Sequence, residues 1–273
     1  MGSIAYNFKG DVVVITGAAS GIGKGTALQF AKAGADLALC DFNAEGGEAV
    51  AKECRDLGVK AKFYQMDTTN TERVNAVRDE VLKDFGKVTC LFANAGVSQD
   101  VMGPPLESVP DETWEKTIAV NTMGCIKVCR AFAIPMKEAN YGKIVMTSSI
   151  AVYSLSPIMA AYNVSKMGVL AFMGTLCSEL GNYNINVNAV CPGFVYTPMY
   201  SEGGALRIRD KSKVLGKIQD PKTVVETMAS TSALHRMQTV DDLANGVMFL
   251  CAENSKEITG QVLNVDSGAA RRI

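Results

Sequence analysis

Seven short apolar runs, separated by longer stretches of helical periodicity, constrain this chain more than any single residue does. The runs cover 12–15, 36–40, 61–65, 88–93, 143–148, 185–190 and 261–265, and helical patterns cover 21–33, 44–57, 71–85, 111–139, 160–180 and 240–252. The runs are nearly continuously apolar rather than alternating, which is the mark of strands buried on both faces. Strands alternating with helices in this way predict an α/β fold, a parallel sheet doubly wound with helices on both faces. No repeat or linker interrupts the chain, so a single domain over 1–273 is expected. The rhythm breaks only at 196–237, where no clear strand is seen; a long irregular connection there is expected to act as a lid.

Three residues near the fifth run carry the chemistry. Tyr162 and Lys166 stand four apart, so both reach the same face of a helix, and Ser149 follows the apolar run 143–148. An ammonium beside a phenol favours the phenolate and is expected to lower the tyrosine pKa toward neutrality. With a serine hydroxyl to hold a substrate oxygen, such a group can move a proton on or off an alcohol.

Directly after the first run comes Thr16-Gly17-Ala18-Ala19-Ser20-Gly21-Ile22-Gly23. Glycines at 17, 21 and 23 let the backbone turn tightly against a pyrophosphate, and the helix that follows presents free amides to its charge. Asp41 closes the second run, where a carboxylate accepts hydrogen bonds from both hydroxyls of an adenosine ribose and repels a 2′-phosphate. Phe42, not Arg or Lys, comes next. NAD is therefore expected over NADP, with Lys24 the one residue that weakens the preference.

Composition narrows the alternatives. A net charge of −1 offers no field for nucleic acid. No uncharged apolar run is of membrane-spanning length, and the start Met1-Gly2-Ser3-Ile4-Ala5-Tyr6 lacks the basic end and apolar middle of a signal peptide. A cytoplasmic protein without membrane or nucleic-acid partners is expected. The eight cysteines are scattered without a Cys-x-x-Cys, and Cys125 and Cys129 share a helix face without further zinc ligands, so reduced core thiols and no metal site are expected. The single histidine, His235, excludes a multi-histidine metal centre and reads as structural or solvent-facing.

Taken together, from Asp11 to about Gly268, these motifs resemble the classical short-chain dehydrogenase/reductase family in order and spacing. The resemblance implies a Rossmann-like fold and an oxidoreductase, with Asn94-Ala95-Gly96 after the fourth strand, although Ala93 stands where Asn is more usual. It implies a catalytic set of Asn121, Ser149, Tyr162 and Lys166. Ser149 rather than Ser148 is the family serine because it lies thirteen residues before Tyr162. The implied cofactor contacts are Gly17, Ser20, Gly21, Ile22 and Gly23 in the loop, Asp41 and Phe42 after the second strand, and Asp67 beside the adenine with Thr68. They continue through Asn94, Ala95 and Gly96, Tyr162 and Lys166, and Pro192, Gly193, Val195 and Thr197 near the nicotinamide. Lys166 is implied to bind the nicotinamide ribose, and Asn121 to hold a water that links Lys166 to solvent. A homo-oligomer, tetramer or dimer, built on 111–139, 160–181 and the last strand, is also implied.

The pocket positions of such a protein fall here on Ser149, Ala151, Tyr153, Tyr162, Phe194 and Met199, with Val97 and Gln99. Their mixture of apolar and small polar groups suits a small-molecule secondary alcohol or ketone: a polyol, a cyclic alcohol or a hydroxysteroid. Arg207, Arg209, Lys211 and Lys213 would meet a substrate carboxylate or phosphate, or simply be solvated, while Leu206, Leu215, Met228 and Met237 would cover the pocket or pack the core. The chief alternative is a 3-oxoacyl-carrier-protein reductase using NADPH. Asp41 speaks against it, as does Ser178-Glu179, where such proteins carry Arg before Glu. A non-catalytic nucleotide-binding scaffold would need a broken catalytic set, and an epimerase or dehydratase of the extended subfamily would need a longer chain and another glycine spacing.

Overall fold

The computed structural model describes residues 5–98, 106–210, 212 and 215–270, with the backbone alone at 202 and 203. Its centre is a seven-stranded parallel sheet in the order β3-β2-β1-β4-β5-β6-β7. The strands are β1 Val12–Thr16, β2 Asp36–Asp41, β3 Ala61–Gln65, β4 Cys90–Ala93, β5 Gly142–Thr147, β6 Ile185–Pro192 and β7 Val262–Val265. Order reverses between β1 and β4, which leaves a crevice at their carboxyl ends.

The continuous apolar runs are explained by the two layers they face. Val14 and Leu91 point to one side, into a core shared with α3 Thr71–Phe85, α5 Cys125–Ala139 and α7 Ala160–Leu180 through Val77, Phe132 and Met173. Their neighbours Val13 and Ile15 point to the other, among Phe30, Val50 and Val247 of α1 Gly21–Lys32, α2 Ala44–Asp56 and α10 Val240–Cys251. Helix ends follow local chemistry. Asn43 Oδ1 accepts from Gly46 N at 3.1 Å to cap α2, and Thr239 and Asp242 form a reciprocal capping box on α10. Gly86, at φ +78°, stops α3.

Three features depart from the sequence reading. The helix over 111–139 is continuous, but its α4 Asp111–Ile118 and α5 portions are joined by a wider π turn, Ala119–Gly124. This helix is long and apolar enough to cross a membrane by length and composition, although it holds no uncharged run of that length; half of its apolar window is buried in this fold. The stretch 196–237 is not irregular. It holds a second π turn, Tyr200–Gly204, then α8 Ala205–Asp210 and α9 Pro221–Ala229, packed on Ile208, Val224 and Val225. A short helix, α6 Ala151–Ser154, also follows β5.

Candidate active site

The crevice opens into a cavity of about 1380 Å³ that runs from Asp41 and Phe42, past the glycine loop, to Ser149, Tyr162 and Lys166. The nucleotide and catalytic candidates read from the sequence line it except Gly23 and Asn121, as do the pocket candidates Val97, Ala151, Tyr153, Phe194 and Met199.

At one end, β1 gives way to the loop with Gly17 at φ +68° and Gly21 at φ +52°, conformations that glycine adopts without strain. Gly23 stands behind the loop; a Cβ there would drive into the Gly17 carbonyl, so its role is to let α1 approach the turn. Asn94 ties the strand ends together: its Nδ2 donates to Thr16 O at 3.2 Å and Gly17 O at 3.4 Å, and its Oδ1 accepts from Thr147 Oγ1 at 3.1 Å. Ser20 precedes α1 without a side-chain cap, so the first amides of the helix are not satisfied from that side chain.

Asp41 is half-buried at the cavity wall. Its Oδ2 accepts from Ala19 N and its Oδ1 from Asn43 N, both at 2.9 Å, which fixes the carboxylate beside the loop. Lys24 is drawn to Glu53 at 2.8 Å and does not line the cavity. Asp67 Oδ1 accepts from both the amide and the hydroxyl of Thr69 at 2.8 Å, and Thr68 is buried beside it.

At the other end, α7 presents Tyr162 and Lys166 one turn apart, and the turn before α6 presents Ser149, whose hydroxyl is near enough to favour the Tyr162 phenolate. Lys166 Nζ donates to Thr147 O at 3.0 Å and lies 5.8 Å from the Tyr162 ring centroid. Ser148 is turned away, donating to Lys166 O at 3.0 Å, so Ser149 is the serine of this site. Electrostatics run against the expected acid phenol. Burial pushes Tyr162 well above its ordinary pKa, the nearby Tyr200 phenol adds to that, and the Ser149 hydroxyl only partly opposes it. Burial also lowers Lys166 to about 8. In a site this enclosed, desolvation outweighs the ammonium.

Asn121 sits on the π turn and is buried. Its Oδ1 accepts from Val97 N at 2.7 Å, and its Nδ2 donates to Val97 O at 2.9 Å and Ser165 Oγ at 3.0 Å. Ser165 Oγ in turn donates to Tyr162 O at 2.8 Å. The side chain therefore braces α7 from behind instead of entering the cavity. A Cβ on Gly96 would lie 3.1 Å from Asn121 Oδ1 and 3.2 Å from Lys166 Nζ, so any side chain there would press on both.

The substrate end is walled by Ala151, Tyr153, Phe194 and Met199, as read from sequence, and also by Ile158, Met159, Tyr200, Ile208 and Met228. Ala269 and Ala270 complete it, turned inward because the Asp266 carboxylate accepts from Gly268 N and Ala270 N at 2.9 and 2.7 Å. The Asp-Ser-Gly sequence there was the available turn signal. Of the basic run, Arg209 bonds to Asp210 and to Ile218 O, and neither Arg207 nor Arg209 lines the cavity. Gln99, Lys211 and Lys213 lie outside the described residues. Leu215 is buried in the small core of the 196–237 segment, Leu206 and Met237 lie off the cavity, and only Met228 of that group reaches it. His235 lies away from the cavity, with Nδ1 2.6 Å from Ser230 O.

Residues 17–270 match a family model described as Enoyl-(Acyl carrier protein) reductase. The chain is 33% identical over 260 residues to the 3-oxoacyl-[acyl-carrier-protein] reductase FabG of Thermotoga maritima, covering 95% of this chain and 98% of that one. It is 30% identical over 278 residues to the cyclohexanol dehydrogenase of Rhodococcus sp., covering 95% and 96%. Among solved structures, an NAD+-bound xylitol dehydrogenase superposes with a TM-score of 0.87 at 34% identity, covering 96% of this chain and 99% of that one.

Proposed function

The chain belongs to the classical short-chain dehydrogenase/reductase family of oxidoreductases, and from that premise we propose that it interconverts a secondary alcohol and its ketone with NAD. The observation that carries this reading is the single cavity joining the Asp41 carboxylate to the Ser149–Tyr162–Lys166 group.

The nucleotide end fits a dinucleotide on its own terms. A glycine turn and the uncapped start of α1 suit a pyrophosphate, and a fixed carboxylate at the end of β2 suits a ribose diol. Gly17, Ser20, Gly21 and Ile22 would hold the phosphates. Asp41 and Phe42 would hold the adenosine with Asp67 and Thr68, and Asn94, Ala95, Gly96, Pro192, Gly193, Val195 and Thr197 the nicotinamide half. Bound there, the nicotinamide supplies the hydride acceptor or donor. Lys24, paired with Glu53, is withheld from a 2′-phosphate, which adds to the preference for NAD. Asp41→Ala should lower the ratio of kcat/KM for NAD over NADP at least about tenfold, the worth of a charge-assisted hydrogen bond. An unchanged ratio would remove Asp41 from ribose recognition.

At the substrate end, Tyr162 gives its hydroxyl proton to the ketone oxygen, or as phenolate takes it from the alcohol, while Ser149 holds that oxygen in place. The raised phenol pKa keeps Tyr162 protonated at neutral pH, the state needed for reduction. Lys166 orients the proton path and would bind the ribose hydroxyls. Asn121 is a positioning residue, bracing Val97 and, through Ser165, the turn that carries Tyr162. Residues 196–237 form the lid of the single domain, and the exposed Ile134, Val164 and Met167 on α5 and α7 support a homo-oligomer. A cytoplasmic setting accords with eight cysteines that form no disulfide.

A second reading, a 3-oxoacyl-carrier-protein reductase, draws on the FabG relative. Against it, Glu179 pairs with Lys137 at 2.6 Å and the preceding Ser178 bonds within its own helix, leaving no arginine there for an acidic carrier. A panel of cyclic alcohols and polyols with NAD or NADP, alongside a carrier-protein binding assay, separates the two. We expect reduced nicotinamide to appear with NAD and an alicyclic alcohol; carrier binding with NADPH-dependent turnover alone would reverse the choice.

A further inference from the structure

One polar group on the cavity wall has no protein counterpart. Tyr200 begins the π turn Tyr200–Gly204 and lines the cavity. Its backbone is anchored, with N donating to Thr197 O at 2.9 Å, and its ring packs on the lid core. Its hydroxyl bonds to no described residue. By contrast, the Tyr64 hydroxyl donates to Asp84 at 2.7 Å, and the Tyr153 hydroxyl lies 3.8 Å from Cys191 Sγ. A phenol hydroxyl set in an apolar wall without a partner loses hydrogen bonds that a ligand oxygen can restore.

The surroundings define that ligand. Met159, Phe194, Met199, Ile208 and Met228 supply apolar surface around Tyr200. The described lining residues from 150 onward are neutral apart from Lys166, and Lys116 is the other cation on the cavity wall. Methionines on three sides adapt to an alicyclic skeleton.

Building on the reading above, we propose that Tyr200 is a specificity-determining residue whose hydroxyl holds a second oxygen of an uncharged, largely alicyclic substrate, the first oxygen resting on Ser149 and Tyr162. Burial lifts the Tyr200 phenol to about 12, so it stays a neutral hydroxyl, able to donate or accept, through the working pH range. Tyr162 and Tyr200 line the same cavity, so one substrate can present an oxygen to each.

The test compares trans-cyclohexane-1,2-diol with cyclohexanol, each oxidised with NAD by the wild-type protein and by Tyr200→Phe. The wild type should favour the diol in kcat/KM. In the variant, KM for the diol should rise about tenfold and the diol-over-alcohol ratio collapse toward one, the loss of one neutral hydrogen bond. Tyr200→Leu, matched to the apolar wall, should show the same collapse. A ratio unchanged in both variants, or a wild type indifferent to the second hydroxyl, overturns the role of Tyr200 and leaves the oxidoreductase reading standing. If the wild type oxidises neither alcohol although fluorescence shows that it binds NADH, the alicyclic substrate class falls, and with it this role.

Discussion

Tyr162→Phe should lower kcat for alcohol oxidation by about 10³-fold or more while leaving NADH binding within a fewfold of wild type. The ring stays where it is, because Trp114, Met159, Ala151 and Ala161 pack around it and phenylalanine fills the same volume. Only the hydroxyl is lost, and with it the group that exchanges a proton with the substrate oxygen. The pH dependence gives a second signature. Burial has raised the phenol above its ordinary pKa, so the phenolate needed for oxidation becomes populated only as pH climbs. Wild-type oxidation should therefore accelerate through the alkaline range, and the residual rate of the variant should lack that rise. Steady-state rates from pH 6 to 10, with NADH fluorescence titrations, measure both. A variant with near-normal turnover removes Tyr162 from the proton-transfer step.

The direction of that pKa shift was not legible in the chain. Spacing shows that Tyr162 and Lys166 share a helix face, but not how deeply both are buried or that Lys166 Nζ bonds to Thr147 O. Local signals carried further where they were self-contained. The helix Thr71–Phe85 has the ends its periodicity gave, fixed by the Asn70 cap and by Gly86, and the strands were legible because residues buried on both faces must be apolar in sequence too. The π turn at Ala119–Gly124 has no such signature: one extra residue in a helix leaves composition unchanged, yet it is what seats Asn121 against Val97 and Ser165. The helical content of 196–237 was missed for a related reason. Its helices α8 and α9 are too short for periodicity to register, although Asp220 followed by Pro221 is a sound start signal, with Asp220 Oδ2 accepting from Thr223 N at 2.8 Å. Tyr200 was missed with the lid, since its meaning depends on a cavity that only the packing of those helices creates.

Lys166→Met should abolish turnover without weakening the fold at neutral pH. Lys166 is 3% exposed, and its amine lies among β5, Gly96 and Tyr162, with Nζ donating to Thr147 O. Burial lowers its pKa from 10.5 to about 8, which corresponds to a penalty on the order of 3 kcal/mol for holding the charge inside. The folded pKa lies below the unfolded one. The penalty is thus present in full below about pH 8, where both states are charged, and fades as pH rises toward 10.5, where the folded amine is neutral while the unfolded one still binds its proton. Methionine fills the stem of the lysine and removes the penalty, but leaves Thr147 O unpaired at about 1–3 kcal/mol. The two changes nearly offset each other at pH 7, so urea unfolding there should find the variant at least as stable as the wild type. Between pH 8 and 10.5 the wild type should gain on it, and the other titrating groups cancel because both proteins share them. Turnover should fall by about 10³-fold with the loss of the amine beside the Tyr162 ring. A variant that is several kcal/mol less stable by the same amount at pH 7 and pH 10 would make Lys166 a strut for β5, and its charge irrelevant to the design of the site. Stability retained with activity gone would show instead that the chain keeps a buried ammonium, at the expense of its own fold, for the reaction alone.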